Sequence, residues 1–301
     1  MIESLQPIYL SGQTGSGKTA IAVELATQLG NVEIVNADAY QIYQGMPILS
    51  AAPAKNEKRH VPHHLFEFLP PSEECDAARF ARVAKAKIEE VRSRGNVPLV
   101  VGGSGLYLKA ITHGLAPTPK GDPDLRAELD QFSLEELVEK YQQTDPEGAE
   151  TTNLKNRRYV TRNLEISILA GQPASQLKQS WENDAPNITA FYLQRERADI
   201  YDRINRRTTL MFEAGVVDEV AKLKELSNTA EKAIGIREIR SLLAGEIDEE
   251  TCIEAIRTIT RRYAKRQETW FKREDAFVPI PVAPDDAVDS VVERILSALQ
   301  S

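Results

Sequence analysis

Residues 12–19 read Gly12-Gln13-Thr14-Gly15-Ser16-Gly17-Lys18-Thr19, and this octet decides the fold. It fits G-x-x-x-x-G-K-[ST], and its setting matters as much as its letters. Before it, Pro7-Ile-Tyr-Leu-Ser has the apolar run of a short buried strand. After it, Thr19 to Gln28 (TAIAVELATQ) has helical spacing and good helix formers. Strand, glycine-rich turn and helix in that order make a cradle for a polyanion. The glycines let the backbone curl so that several N–H groups point inward. The helix N-terminus adds partial positive charge. Lys18 supplies a mobile full charge, and the Thr19 hydroxyl can hold Mg²⁺. The motif says polyphosphate and leaves open which polyphosphate is bound and which bond breaks.

Outward from the loop, strand and helix signals alternate. Val32-Glu-Ile-Val-Asn reads as a second strand and His64 to Leu69 as a further short one. Ala77 to Arg92 is an amphipathic helix, and Val97-Pro-Leu-Val-Val is an apolar strand ending in Gly102-Gly103. The pattern predicts an α/β fold, a P-loop NTPase-like parallel sheet flanked by helices. At Ala116-Pro-Thr-Pro-Lys-Gly-Asp-Pro123 the texture changes, with three prolines and a glycine in eight residues. From Leu125 to about Gln179 only helices are read; Asn187 to Leu193 (NITAFYL) returns to strand, and helices follow to about Lys272. The expected organisation is a core of residues 1–117 and 186–301, interrupted by a helical insertion domain over 118–185.

The chain has 301 residues, of which 42% are hydrophobic, enough for a sizeable core. No apolar run approaches the roughly 18 residues that cross a bilayer, and the first residues lack the layout of a secretory signal. Cys75 and Cys252 have no metal-ligand spacing and read as two buried thiols in a reducing cytoplasm. The net charge of −8, taken alone, argues against a nucleic-acid partner. The charge is unevenly spread, however. Arg257 to Arg273 (RTITRRYAKRQETWFKR) has seven basic residues and one acidic one, and Lys155-Asn-Arg-Arg158 with Arg162 forms a second basic cluster. Local basic faces can bind phosphates on an acidic protein.

The second strand runs into Asn36-Ala37-Asp38-Ala39-Tyr40-Gln41-Ile-Tyr43. Ligands of open parallel sheets bind beyond the C-terminal strand ends, so Asp38 is placed to face the loop. It could hold Mg²⁺, act as a general base, or simply cap a helix. The strand at Val97 ends in Gly102-Gly-Ser104, where the Ser104 hydroxyl reaches the same crevice or the glycines merely make a turn. Arg203 and Arg207 share a helix face, suited to a diphosphate or to solvent. Lys265, Arg266 and neighbouring arginines, interleaved with Tyr263, Trp270 and Phe271, are candidates for RNA backbone contacts.

Together these segments resemble the tRNA dimethylallyltransferases, also called tRNA isopentenyltransferases, of bacterial type. The resemblance covers nearly the whole chain: GQTGSGKT at 12–19, NADAYQIY at 36–43, VPHHL at 61–65, VPLVVGGSGLYLKA at 97–110, RRYVTRNLEI at 157–166, DRINRRTTLMFEAGVVDEV at 202–220, AIGIRE at 233–238 and TRRYAKRQETWF at 260–271. It implies transfer of a five-carbon group from dimethylallyl diphosphate to N6 of adenine 37 in the anticodon stem-loop of tRNA, within an A36-A37-A38 run. It further implies a cytoplasmic monomer with no membrane partner.

The resemblance also implies roles. Gly12, Gln13, Thr14, Gly15, Ser16, Gly17, Lys18 and Thr19 hold the diphosphate, with Thr19 near Mg²⁺. Asp38 takes the proton from N6, Ser104 lies near the bridging oxygen of the donor, and Arg207 reaches the diphosphate. Asp38, Ala39, Tyr40, Gln41, Ser104, Arg158, Arg162, Arg237, Arg262, Lys265 and Arg266 fall in tRNA-contacting segments. The sequence departs from the family pattern at Gln13 and Gly15, where neither side chain is expected to be required. It departs again at Ala39, which removes a hydroxyl, and at Ser104, which stands for threonine. Competing readings are an adenylate isopentenyltransferase making a cytokinin from AMP, ADP or ATP, a P-loop small-molecule kinase, and a non-catalytic RNA-binding module. The basic stretch at 257–273 and the helical insertion favour tRNA over a free nucleotide.

Overall fold

A computed structural model describes residues 5–182 and 187–300. The chain divides into two compact units, Met1–Thr112 with Asn187–Ser301, and His113–Pro186.

The first unit is built on strands β1 (Ile8–Gly12), β2 (Val32–Asn36), β3 (His63–His64), β4 (Val97–Gly102), β5 (Thr189–Arg195) and β6 (Val278–Val282). They form one six-stranded sheet in the order β3-β2-β4-β1-β5-β6, and every pairing is parallel. Every residue of β1, β2 and β4 is buried, as expected of parallel strands covered on both faces. Register is tight around β1, with Ile8 opposite Leu99 on one side and Thr189 on the other.

The helices are α1 (Lys18–Leu29), α2 (Pro47–Ser50), α3 (Lys55–Lys58), α4 (Ala77–Ser93) and α5 (Gly105–Thr112), then α6 (Pro123–Leu129), α7 (Leu134–Thr144), α8 (Pro146–Thr151), α9 (Arg157–Ala170) and α10 (Ala174–Glu182) in the second unit. The first unit resumes with α11 (Arg197–Glu213), α12 (Val216–Ala221), α13 (Ile236–Leu243), α14 (Glu249–Phe271) and α15 (Val288–Gln300). Alternation along the strands sends side chains to two cores. Ile8, Leu10, Ile34, Leu99 and Leu193 pack with Ile21 and Leu25 of α1 and Val292 and Ile295 of α15. Tyr9, Val35, Val100 and Tyr192 pack with Phe80 of α4, Leu108 of α5 and Ile256 and Phe271 of α14. Cys75 and Cys252 are buried free thiols. No helix among the described residues is long and apolar enough to cross a membrane.

The second unit has its own small core of Leu129, Leu137, Tyr141, Val160 and Leu164. Its helix starts are locally encoded: Ser133 and Glu136 make a reciprocal capping box at α7, and Asp122 and Asp145 cap α6 and α8.

Two parts differ from the sequence reading. Of His64 to Leu69, only His64 is in a strand; Leu65 and Glu67 take left-handed backbone (φ 63° and 46°), and Leu69 forms an isolated bridge to Tyr43. Asn36 explains the turn, since its side-chain amide donates to the Leu65 carbonyl at 3.0 Å. Beyond Lys272, the chain adds β6 and α15, which complete one sheet edge and one core.

Candidate active site

The phosphate loop leaves β1 at Gly12 and enters α1 at Lys18. Gly15 and Gly17 have φ of 86° and 89°, which side chains with a Cβ rarely adopt. Gly17 is the N-cap of α1, with no side-chain cap and no acidic residue in the first turn, so the helix start is left open to an anion. The Lys18 ammonium folds back over the loop and donates to the Gly12 and Gln13 carbonyls, each at 2.9 Å.

Residues far along the chain fix the loop from outside. Arg195, at the end of β5, donates to the Ser16 carbonyl at 3.0 Å and pairs with Asp199 at 2.5 Å. On α11, Arg203 donates to the Gly15 carbonyl at 2.6 Å and Arg207 to the Thr14 hydroxyl at 2.7 Å. From α14, Gln267 accepts from the Thr14 N–H at 2.8 Å. The Gln13 side chain is 2% exposed and donates to the Ala264 carbonyl of α14 at 3.1 Å.

The loop forms one wall of a cavity of about 510 Å³. Asp38 and Gln41 beyond β2, Gly102 at the end of β4, and Arg203, Arg206, Arg207 and Leu210 on α11 line the rest, with Ser50, Ala51 and Phe66. A larger cavity of about 1010 Å³ opens around the start of β1 and β5, beside Tyr9, Lys85 and Leu296. It lies at the opposite ends of the strands from the loop, away from the glycines and the arginine cluster.

Asp38 does not cap a helix. Its carboxylate accepts from the Tyr40 N–H at 3.0 Å, closing a local turn, and the next helix begins only at Pro47. Its own N–H is held by the Asn36 side chain at 2.9 Å. The carboxylate therefore sits on a rigid strand end. Burial brings the Lys18 ammonium down to about 8, with Asp38 pulling it back up and Arg207 pushing it further down. Burial likewise lowers Arg207, with Asp38 opposing and Arg203 adding to the effect. The Arg207 Nε is buried and has no partner among the described residues. Concentrated cations with an orphaned donor suit a polyanionic ligand.

Ser104 precedes α5, and its hydroxyl has no hydrogen-bond partner among the described residues; the cavity wall itself is made by Gly102. Gln41 spends its side-chain amide on the Ser50 and Ala51 carbonyls at 3.2 and 2.9 Å. Ala39 and Tyr40 are half-buried against the core. On α14, Arg262, Lys265 and Arg266 are exposed, with Arg266 over the Tyr263 ring at 5.6 Å. By contrast, Arg257 and Arg261 are engaged by Thr209, Asn205 and Glu254. Arg237 on α13 and Arg158 on α9 are exposed. Arg162 is held by the buried Glu165 at 2.5 Å and the Pro119 carbonyl at 2.7 Å, within the second unit.

Sequence reasoning missed Arg195 and Gln267. A signal for Arg195 exists, since it ends a strand of an open α/β sheet, where such folds place ligand contacts. Gln267 carries no local signal.

The family profile described as IPP transferase matches residues 41–274. The tRNA dimethylallyltransferase of Akkermansia muciniphila is 42% identical over 97% of this chain and 99% of its own length, a span that also includes the phosphate loop and Asp38. The chain belongs to the tRNA dimethylallyltransferase family. Another relative, tRNA dimethylallyltransferase 1 of Citrifermentans bemidjiense, is 38% identical over 91% of each chain. Among solved structures, the full-length tRNA isopentenylpyrophosphate transferase of Bacillus halodurans aligns with a TM-score of 0.71 and 31% identity over 99% of this chain and 97% of that one. A eukaryotic dimethylallyltransferase acting on tRNA aligns with a TM-score of 0.79 and 26% identity, over 94% of this chain and 75% of its own. As a tRNA dimethylallyltransferase, the chain is an enzyme of the prenyltransferase class that isopentenylates tRNA, on a parallel sheet flanked by helices.

Proposed function

We propose that the enzyme transfers the dimethylallyl group of dimethylallyl diphosphate to N6 of adenine 37 in tRNA. The observation that carries the reading is one cavity wall shared by the phosphate loop, the Lys18, Arg203, Arg206 and Arg207 cations, and the Asp38 carboxylate. In the step, N6 bonds to C1 of the donor, the C1–O bond to diphosphate breaks, and the N6 proton passes to Asp38. An exocyclic amine becomes acidic only as its new C–N bond forms, and a carboxylate can then accept the proton. The main electrostatic demand is the negative charge of the departing diphosphate. The loop from Gly12 to Thr19, Lys18 and Arg207 meet it, and Ser104 donates to the bridging oxygen.

Mg²⁺ fits this site. No cluster of three or more His, Cys, Asp or Glu that could hold a metal occurs among the described residues. The Thr19 hydroxyl lines the cavity beside the loop, a donor suited to a Mg²⁺ carried largely by substrate phosphates. Bound there, Mg²⁺ would neutralise part of the diphosphate charge.

The tRNA lies along Arg262, Lys265 and Arg266, with Arg237, Arg158, Arg162 and the Asp38–Gln41 segment as further contacts, and Ser104 beside the reacting adenine. Flipping the adenine costs a few kcal/mol, which these backbone contacts offset. The acceptor is an A36-A37-A38 anticodon stem-loop, and the enzyme works as a cytoplasmic monomer. A free-nucleotide acceptor has no use for the unpaired exposed cations of α14.

The test offers radiolabelled dimethylallyl diphosphate and Mg²⁺ with unmodified A36-A37-A38 tRNA beside AMP and ADP. Label enters tRNA alone, and Asp38→Ala abolishes it while tRNA affinity stays within a few-fold. Label in AMP or ADP would move the acceptor assignment, and parallel loss of binding would make Asp38 structural.

A further inference from the structure

Gln267 belongs to the buried stripe of α14, with Thr260, Ala264 and Phe271, and is 5% exposed. Its carboxamide is used at both ends. Oε1 accepts from the Thr14 N–H of the phosphate loop at 2.8 Å, and Nε2 donates to the Gly103 carbonyl, one residue before Ser104, at 2.8 Å. The partners fix the amide orientation, since an N–H needs the oxygen and a carbonyl needs the NH₂. The packing is close. A Cβ on Gly103 would lie 2.4 Å from the Gln267 Nε2 and 3.0 Å from the Gly12 carbonyl oxygen. Thr14 is held from its other side by the Arg207 bond to its hydroxyl at 2.7 Å. One carboxamide therefore spans the gap between the loop and the turn that presents Ser104.

We propose that Gln267 is a positioning residue for prenyl transfer, setting the spacing between the phosphate loop and the Ser104 turn so that both meet the diphosphate together. It touches neither substrate and acts through Thr14 and Ser104. The proposal rests on the assignment of the loop and Ser104 to the donor diphosphate. Glutamine suits the task because it offers an acceptor and a donor on one flat group. An ionised glutamate at this position would keep the acceptor and set a carboxylate oxygen against the Gly103 carbonyl. Leucine, of similar volume, makes neither bond.

A double-mutant cycle separates positioning from packing. Gln267→Leu, Gln267→Glu, Ser104→Ala and Gln267→Leu with Ser104→Ala are compared with the wild type for kcat, donor KM, tRNA affinity and melting temperature. Gln267→Leu lowers kcat at least tenfold with tRNA affinity within about twofold. In the Ser104→Ala background the same change costs less than about twofold, because the group it positions is already gone. Gln267→Glu keeps the volume and carries the test where the leucine variant does not fold. It is slow at pH 8 and recovers relative to wild type toward pH 6, where a protonated carboxyl donates to the Gly103 carbonyl. Losses that multiply in the double variant, or a glutamate variant whose ratio to wild type is flat with pH, would overturn the proposal while an active wild type leaves the functional reading standing. A wild type that transfers no label to tRNA would overturn both.

Discussion

Replacing Gly102 by alanine should displace Asp38 without touching it. Gly102 ends β4 beside the end of β2, where the Ala37 N–H donates to the Val101 carbonyl at 2.7 Å. A Cβ on Gly102 would lie 2.2 Å from the Ala37 carbonyl oxygen, 2.4 Å from its carbon and 2.8 Å from the Ala37 Cβ. These are backbone atoms and a methyl fixed to them, so no rotamer change relieves the contact. The oxygen is more than 1 Å inside an ordinary contact, and the β2 end must move by about that much. Ala37 is bonded directly to Asp38, so the carboxylate moves with it. Overpacking of this kind costs about 1–3 kcal/mol of stability, and misplacing a catalytic group by about 1 Å costs about 100-fold in rate. The assay is single-turnover transfer to an anticodon stem-loop RNA at saturating donor, with thermal unfolding in parallel. The expected result is a rate lower by about 100-fold and a donor KM within a few-fold, since the phosphate loop is untouched. A Gly102→Ala protein with the wild-type rate would refute the claim that this close approach sets the position of Asp38.

Lys18, brought down to about 8 by burial, is charged below that pH and neutral above it. Donor kcat/KM therefore falls as pH rises through about 8, and the Lys18→Met profile lacks that limb; a flat wild-type profile would put the burden on the arginines. Lys265→Ala with Arg266→Ala weakens tRNA binding and lowers the slope of log affinity against log salt by roughly 1.5. An unchanged slope would take both residues off the interface. Glu33, 5% exposed at its side chain, would be raised by burial alone, but bonds from Arg94, Asn96 and His64 bring it down to about 2. Its stabilisation is complete above the ordinary carboxylate pKa and is lost as pH falls through about 2. Glu33→Gln should thus cost about 3 kcal/mol at pH 7, a deficit that narrows as the wild type is titrated below about pH 4.5. Urea unfolding at pH 7 and pH 4 reads both, and equal deficits would deny the linkage.

What could be read from the sequence was local. β1, the loop and α1 occupy consecutive residues, and each carries its own signal in apolar run, glycine spacing and helix formers. The carboxylate at Asp38 followed from one rule about strand ends. The bracing of the loop was not legible, because its members are brought together only by the sheet. Gln13 looked dispensable by type, and the carbonyl it holds is 251 residues away. β6 hid for a different reason. Its sequence, Val278-Pro-Ile-Pro-Val282, carries two prolines, which lack an N–H and argue against a strand except at an edge. It lies at an edge, paired only through β5. The partners of Arg162 were hidden in the same way, since the buried Glu165 beside it on α9 and the Pro119 carbonyl both hold its guanidinium.

The bracing of the loop also bears on how the protein is made. The loop is among the first segments to leave the ribosome, while the groups that hold it follow 179, 188, 193 and 253 residues later. At bacterial and eukaryotic synthesis rates that last interval lasts roughly 13–50 s. For the first 179 residues of it the nascent chain has the glycine turn but none of the arginine collar, and the α14 strut is the last of the group to be made. Closure of the loop therefore waits for α14, and long-range closure of this kind makes folding slow.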